Sequence, residues 1–258
     1  MWNLLLPGLE YTELPLPTSD FSDSTARVVR IDPERFEVRL VMASAGDKVA
    51  RPIPEWRAST GAVAAMNAGM YETDYLTSTG AMWGSGKVNN AQANGYKSVF
   101  AIDPVDPKAP FVRRYDLACG DTVEDAKTAY RAGVQSLRMI GCARKNAWGA
   151  STKRWSSVAV GIDGTGHVLF IHTRSPYAMH DLIDALLAAP LDLVALQYAE
   201  GGPEATLSVD AGAVDATFVG SYETGFFESD RNNSAWNVPN ALVVVPRAAA
   251  STGPVPDP

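Results

Sequence analysis

Short apolar runs separated by turn residues limit the fold of this chain more than any other feature. Their length and β-branched content favour β-strands over helices. Gly and Pro, 21 and 17 of the 258 residues, are about 15% of the chain against an average of about 12%, which disfavours a helical bundle. The runs that predict strands are residues 26–31, 36–42, 62–66, 99–102, 157–162, 168–173, 193–198, 206–209 and 241–245.

Two segments have the pattern of helices. Thr122 is suited to cap a helix over residues 123–131, with acidic residues in its first turn, where the helix dipole favours them. Ser175 and Pro176 are suited to the N-cap and first position of a second helix over residues 177–189, which Pro190 would end. A turn at residues 163–166 joins two of the predicted strands into a hairpin.

These elements predict an α+β fold with β-rich mixed sheets and a few helices. We expect a single domain over residues 1–247, since no linker or repeat divides them. Residues 248–258 are mostly Ala, Ser, Thr, Gly and Pro, which predicts a disordered tail.

Charge and cysteine content exclude several classes of protein. The formal net charge is −7 and no basic run is present, which argues against a nucleic-acid surface and a polybasic membrane anchor. No apolar stretch approaches the length of a transmembrane helix, and the first residues lack the pattern of a signal peptide. Cys119 and Cys142 fit either one bridge in an exported protein or two unpaired residues, and no zinc pattern is present.

The segment Glu200-Gly201-Gly202-Pro203-Glu204 is the first candidate site. It places two carboxylates around a turn at the mouth of a predicted sheet. Glycoside hydrolysis commonly uses a pair of carboxylates, and glycines beside them let a substrate approach the backbone. The alternative is a surface hairpin with two solvated acids.

Two further segments could bind a ligand. Asn67 and Gly69 follow a predicted strand in a turn that could bring backbone N–H groups to a ligand, or could be a plain turn. Arg174 and Ser175, with His180 nearby, lie at the start of the second predicted helix. A helix N-terminus with an Arg beside it can bind a phosphate.

Arg138 lies inside the apolar, strand-like segment 135–140. A buried Arg must be paired. The residue therefore meets a structural acid or faces a polar cleft, and the alternation of the segment does not decide which.

Taken together, the order of these segments resembles that of the phosphodiester glycosidase family over most of residues 4–247. The resemblance is to an Asn-Gly turn after a strand, a Gln-containing middle strand, a strand–turn–strand–helix block, an acid-Gly-Gly turn and a closing strand. It lies at residues 67–71, 135–140, 156–189, 200–205 and 238–245. A bacterial, exported branch of the family is similar in more detail, at residues 153–156, 169–172, 174–177, 200–205 and 220–224.

The resemblance implies a hydrolase that cleaves a sugar-1-phosphodiester, or a related glycosidic bond, in bacterial envelope or extracellular glycans. Glu200 would stabilise charge at the anomeric carbon, and Glu204 would assist it or orient it. Arg138 and the segment from Arg174 would hold the phosphate. The turn at Asn67 would position sugar hydroxyls.

The resemblance also implies a carbohydrate or sugar-phosphate partner, no cofactor, and a periplasmic or extracellular location. A metal stays open, because Glu200, Glu204 and Asp210 offer oxygen ligands. The single-site hypothesis requires Glu200, Arg138 and Asn67 to converge on one cleft.

Three positions depart from the family pattern. Glu200 stands where the family usually has Asp, and Ser157 and Trp236 stand where it usually has Arg. These departures leave the substrate and the acid/base assignment open. They also motivate a second hypothesis, a non-catalytic carbohydrate-binding or envelope protein that keeps the fold.

Overall fold

The computed structural model describes residues 1–247, and the predicted disordered tail at residues 248–258 lies outside them. Within the described range the helices are α1 (Ile53–Ser59), α2 (Val123–Ala129) and α3 (Met179–Ala188). The strands are β1 (Asn3–Leu6), β2 (Leu9–Pro15), β3 (Thr25–Ile31), β4 (Phe36–Met42), β5 (Arg51–Pro52), β6 (Ala64–Asn67), β7 (Met82–Gly84), β8 (Lys87–Asn90), β9 (Ser98–Pro104), β10 (Val112–Asp116), β11 (Tyr130–Ser136), β12 (Trp155–Asp163), β13 (Val168–Tyr177), β14 (Leu193–Gly201), β15 (Thr206–Ala211), β16 (Val214–Val219), β17 (Asn237–Val238) and β18 (Asn240–Pro246).

The strands form three large sheets and a two-stranded pair of β17 and β5. The six-stranded sheet has the order β1-β2-β3-β13-β12-β14, and the five-stranded sheets have the orders β10-β9-β11-β7-β8 and β16-β15-β6-β18-β4. The predicted β-rich α+β class is confirmed. The pairings between the described strands are antiparallel rather than mixed.

One apolar core lies between the three large sheets. It includes Phe170 of β13, Leu242 of β18 and Phe100 of β9, each essentially inaccessible to solvent. The outer face of each sheet is covered by one helix. The apolar side of α3 packs on the six-stranded sheet, α2 packs on β9 and β11, and α1 packs on β6 and β18. Burial of this surface is the main driving force of folding.

All nine predicted strands are confirmed, and most extend beyond the predicted run. The hairpin turn closes with a hydrogen bond from the Gly166 N–H to the Asp163 carbonyl at 3.1 Å. Thr122 caps α2 as predicted, in a reciprocal capping box with Asp125. The sequence analysis did not predict α1, which begins at Ile53.

The predicted start of the second helix is wrong. Ser175 and Pro176 lie in β13, whose pairing with β12 continues to Tyr177, opposite Trp155. The helix begins at Met179, with Ala178 as its N-cap. Tertiary strand pairing therefore overrides the local capping signal.

Cys119 and Cys142 form a disulfide, so the bridged alternative is the one that the structure takes. The bridge joins the turn after β10 to the segment after β11. None of the helices within residues 1–247 is long and apolar enough to span a membrane.

Candidate active site

Glu200 lies at the end of β14, next to the last residue of the strand. It pairs with Val158 of β12, and one of its carboxylate oxygens accepts a hydrogen bond from the Gly201 N–H at 3.0 Å. After Gly201 the chain makes a single turn through Gly202 and Glu204 and enters β15 of another sheet. The predicted acid-Gly-Gly turn therefore joins two sheets and is not a surface hairpin.

The side chain of Asn67 fixes the backbone of this turn through hydrogen bonds. The residue is fully buried, and its side-chain amide donates to the Glu204 carbonyl at 3.0 Å and accepts from the Thr206 N–H at 2.8 Å. Both polar ends of the side chain are thus used within the protein. Asn67 positions the Glu204 backbone, and this differs from its predicted contact with sugar hydroxyls.

Glu223 is brought to the same place by a loop between β16 and β17. Its N–H donates to the Phe227 carbonyl at 2.9 Å, which closes a tight turn. The neighbouring Tyr222 carbonyl accepts from the Ser156 N–H at 2.9 Å, and this fixes the loop to β12. The carboxylate of Glu223 rests directly against Gly202.

Glu200, Glu204 and Glu223 line one cavity of about 400 Å³, together with a fourth glutamate, Glu72. Four aromatic side chains also line it, namely Tyr71, Tyr75, Tyr198 and Phe226. Among the described residues, no Lys or Arg lines this cavity. The site is therefore acidic and aromatic, which is a suitable lining for a polyhydroxylated ligand.

The cavity raises the pKa values of Glu200, Glu204 and Glu223. Burial raises the pKa of Glu200 to about 8, and the charges of Glu204 and Glu223 add to the shift. Burial also raises the pKa of Glu204 to about 7, with a further contribution from Glu223. The pKa of Glu223 is raised by burial, and Lys153 opposes this shift. Clustered acids with raised pKa values are typical of active sites.

Arg138 does not join this cavity. Its guanidinium donates to the Asp116 carboxylate at 2.9 Å, so it meets a structural acid. The residue lines a separate cavity with Trp148. Of the three residues predicted to converge on one cleft, only Glu200 lines this cavity, while Asn67 supports it through the Glu204 backbone and Arg138 lines a different cavity.

Arg174, Ser175 and His180 also have internal partners. The Arg174 guanidinium donates to the carbonyls of Val219, Asp230 and Asn232, which braces the loop that carries Glu223. The Ser175 hydroxyl accepts from the Ser24 N–H at 2.7 Å.

His180 lies in α3, where its ring contacts the Trp148 carbonyl at 2.7 Å and the Asp184 carboxylate at 3.3 Å. With Arg174 and Ser175 in β13, the phosphate site predicted at a helix start is not formed. Gly69 packs its backbone against Val134, away from the acids.

Within residues 1–247, few side chains lie close enough together to hold a metal ion. Asp210 forms an ion pair with Arg57 at 2.6 Å, and it does not line the acidic cavity with the glutamates. Within residues 1–247, the group with metal-ligating atoms close together is Asp116, Cys119 and Cys142. The two thiols of that group are consumed by the disulfide.

Glu223 is the functional candidate that sequence reasoning missed. It lies in the segment 220–224, which resembles the bacterial branch of the family, and this was the available signal. Because Glu223 is far from Glu200 along the chain, the sequence alone does not place the two residues together. In the folded protein its carboxylate lies against Gly202, and this contact brings Glu223 to the same turn as Glu200.

If the acidic cavity is catalytic, a Gly202→Ala substitution is expected to reduce its turnover by about tenfold or more. Gly202 has a φ of 60°, and an added Cβ would clash with the Glu223 carboxylate. The substitution would displace that carboxylate, and a misplaced catalytic group slows a reaction strongly. The left-handed backbone adds a stability loss of about 1–2 kcal/mol. Initial rates and thermal melts measure both effects.

Gly61→Ala is the matched control for this prediction. Gly61 has a φ of 65° and nothing lies within 4 Å of its added Cβ. It therefore carries the backbone penalty without the clash, and its melting temperature should fall while its rate is kept. Equal rates in the two variants would contradict the positioning of Glu223 by Gly202.

Comparison with known proteins agrees with this architecture. The sequence profile of one family, described as phosphodiester glycosidase, matches residues 60–245. No curated protein sequence matches the chain. The fold is similar to the zebrafish N-acetylglucosamine-1-phosphodiester alpha-N-acetylglucosaminidase catalytic domain, auto-inhibited by its pro-peptide, with a TM-score of 0.66 and 12% identity over 94% of this chain and 85% of that one.

A hypothetical protein from Synechocystis also has a similar fold. Its TM-score is 0.59 with 14% identity, over 93% of this chain and 62% of that one. At such identities the likeness concerns the fold alone. The sequence profile, in contrast, covers more than two thirds of the chain. On that match, the chain belongs to the phosphodiester glycosidase family.

Proposed function

We propose that this protein hydrolyses the bond between the anomeric carbon of a sugar and a phosphodiester, or a related glycosidic bond, in bacterial envelope or extracellular glycans. The observation that carries the proposal is the cluster of Glu200, Glu204 and Glu223 in one aromatic cavity. Cleavage at the anomeric carbon builds positive charge on the sugar, and carboxylates stabilise it. Family membership supports the same chemistry.

The shifted pKa values suggest different roles for the acids. Burial raises the pKa of Glu200 to about 8, so we assign it as the proton donor to the leaving oxygen at neutral pH, in place of the charge-stabilising role that the resemblance implies. Burial raises the pKa of Glu223 as well, but here the nearby cation Lys153 opposes the rise and favours the ionised form. Glu223 is therefore our candidate for the carboxylate that faces the anomeric carbon. Environments that separate the pKa values of paired acids commonly set such roles.

The absence of Lys and Arg from the described cavity lining affects how an anionic substrate could bind. An anionic phosphodiester would be repelled by ionised glutamates, four of which line the cavity, and no Lys or Arg of the described residues lines it. Lys153 acts on Glu223 from outside this lining. Protonated Glu200 and Glu204 instead donate hydrogen bonds to the phosphate oxygens. Binding and turnover then require a pH at which these acids keep their protons.

We expect kcat/KM for a sugar-1-phosphodiester to be highest below pH 7 and to fall as the pH rises through 7 and 8. The pKa values of Glu204 and Glu200 are about 7 and about 8, and each acts in its protonated form. Their contribution is complete below these values and is lost above them. Initial rates between pH 5 and 9, in a screen of sugar-1-phosphodiesters and simple glycosides, measure the profile.

A rate that stays level from pH 6 to 9 would contradict the assignment of these acids. A protein that binds glycans but hydrolyses none of the screened substrates would support the alternative, a binding protein that keeps the fold. The absence of cations from the described cavity lining favours that alternative. The same screen therefore decides between the two functions.

We also propose where the protein acts and how far its domain extends. The Cys119–Cys142 disulfide supports a periplasmic or extracellular site of action, since disulfides persist in oxidising compartments. Residues 1–247 are proposed to act as one domain. Strands from both ends of that range, including β2 and β18, contribute to the same core.

A further inference from the structure

An aromatic surface continues outward from the acidic cavity. Tyr71 and Tyr75 line the cavity and also line an adjoining open groove of about 780 Å³ with Trp236. Phe226, on the other wall of the cavity, packs edge-on against Trp236 with ring centroids 6.3 Å apart. We call Tyr71, Tyr75, Phe226 and Trp236 the aromatic shelf.

The shelf presents exposed apolar surface at the rim of the cavity. Tyr75 is 60% exposed and Phe226 is 61% exposed, and both stand at the rim of the cavity. Exposed apolar patches beside a polar cavity mark ligand-binding grooves or interaction surfaces. The continuity with the acidic cavity favours a ligand that occupies both.

The backbone holds Tyr75 outward under strain. Its φ is 56°, a left-handed conformation that bulky residues rarely adopt. The turn is fixed by Asp74, whose carboxylate accepts from the Leu76 N–H at 2.9 Å, the Thr77 N–H at 2.8 Å and the Thr77 hydroxyl at 2.6 Å. Strain that the surroundings maintain is typical of ligand-binding positions. It sets the ring at the junction of cavity and groove.

We propose that the aromatic shelf is a second sugar subsite, so that the substrate is an oligosaccharide or longer glycan. This inference rests on the proposed function and extends it. A sugar ring has an apolar face that stacks on an aromatic ring and a polar edge that stays in water, as the amphipathic shelf permits. Lys48 and Asn237 at the groove offer polar partners to that edge.

The test is a binding measurement on the full chain. An array of monosaccharides and oligosaccharides of two to six units is probed with a Glu200→Gln background that prevents turnover. We expect the background protein to prefer oligosaccharides to their monosaccharide units. Adding Trp236→Ala should reduce that preference at least tenfold. Adding Tyr75→Asn should do the same, since Asn tolerates the left-handed backbone and keeps the turn folded.

Tyr96→Ser is the matched control, because it removes a half-buried aromatic side chain that lines a different cavity. It should keep the preference for oligosaccharides. The inference is overturned if monosaccharides and oligosaccharides bind equally, if no glycan binds, or if the preference survives both shelf substitutions in folded protein.

The outcomes also separate this inference from the proposed function. Hydrolysis of simple sugar phosphodiesters without a preference for longer glycans would remove the second subsite and leave the function standing. Shelf-dependent binding of oligosaccharides without hydrolysis of any of them would support the subsite and remove the hydrolytic function.

Discussion

Glu200→Gln is expected to lower kcat by about a thousandfold, within the range seen for loss of a general acid. The amide has nearly the shape of the protonated acid, and its oxygen can still accept the Gly201 N–H bond. It cannot give a proton to the leaving oxygen. The measurement is kcat on the best substrate of the hydrolysis screen at pH 6, where Glu200 is protonated because its pKa is about 8.

The same substitution should stabilise the protein at high pH. The pKa of Glu200 is raised from 4.5 to about 8 by burial. Between these values the native state binds more protons than the unfolded state, so stability falls as the pH rises. Removing the buried charge restores up to about 5 kcal/mol at pH 9, at about 1.4 kcal/mol for each pKa unit, or up to roughly 10–20 °C in Tm. At pH 5 both proteins are neutral at this position and the gap should close.

Glu34→Gln provides the matched control, since Glu34 is exposed and remote from the cavity. It should change neither kcat nor the dependence of Tm on pH. Retained activity in Glu200→Gln would remove Glu200 from the catalytic role. A lower Tm for Glu200→Gln at every pH would show that the carboxylate is a structural group.

The fold could be predicted well where its signals are local. Each apolar run carries its own periodicity and turn residues, so the strands and α2 were found. The cap signal at Ser175 failed because pairing between β12 and β13 extends the strand to Tyr177. No local pattern reports such pairing. The short helix α1 has Pro52 as its N-cap, with no side-chain hydrogen bond to announce it.

Only part of the candidate site could be predicted from the sequence. Glu200 and Glu204 are neighbours in the chain, so one turn contains them both. Glu223 joins them through the packing of a loop against Gly202. The opposite error occurred at Arg138, whose charge suggested a phosphate but whose partner, Asp116, comes from the distant strand β10. Residue type indicated the chemistry, and the fold decided which groups share a cavity.

Replacing both Cys119 and Cys142 by Ser is expected to destabilise the protein by about 3 kcal/mol. The bridge joins residues 23 apart, and the chain entropy that a loop of this length removes from the unfolded state corresponds to about that amount. Differential calorimetry should show a Tm lower by roughly 6–12 °C. A reducing agent added to the wild type should produce the same shift, since both cysteines are exposed.

Activity well below the melting temperature should be kept in the double variant. Neither cysteine lines the acidic cavity, and the segment that the bridge closes contains α2 and β11, which are held independently by burial of Ala126 and Val134. The reducing agent should leave the Tm of the double variant unchanged. Equal Tm values for the wild type with and without reductant would contradict a stabilising disulfide, and with it the argument that the protein acts in an oxidising compartment.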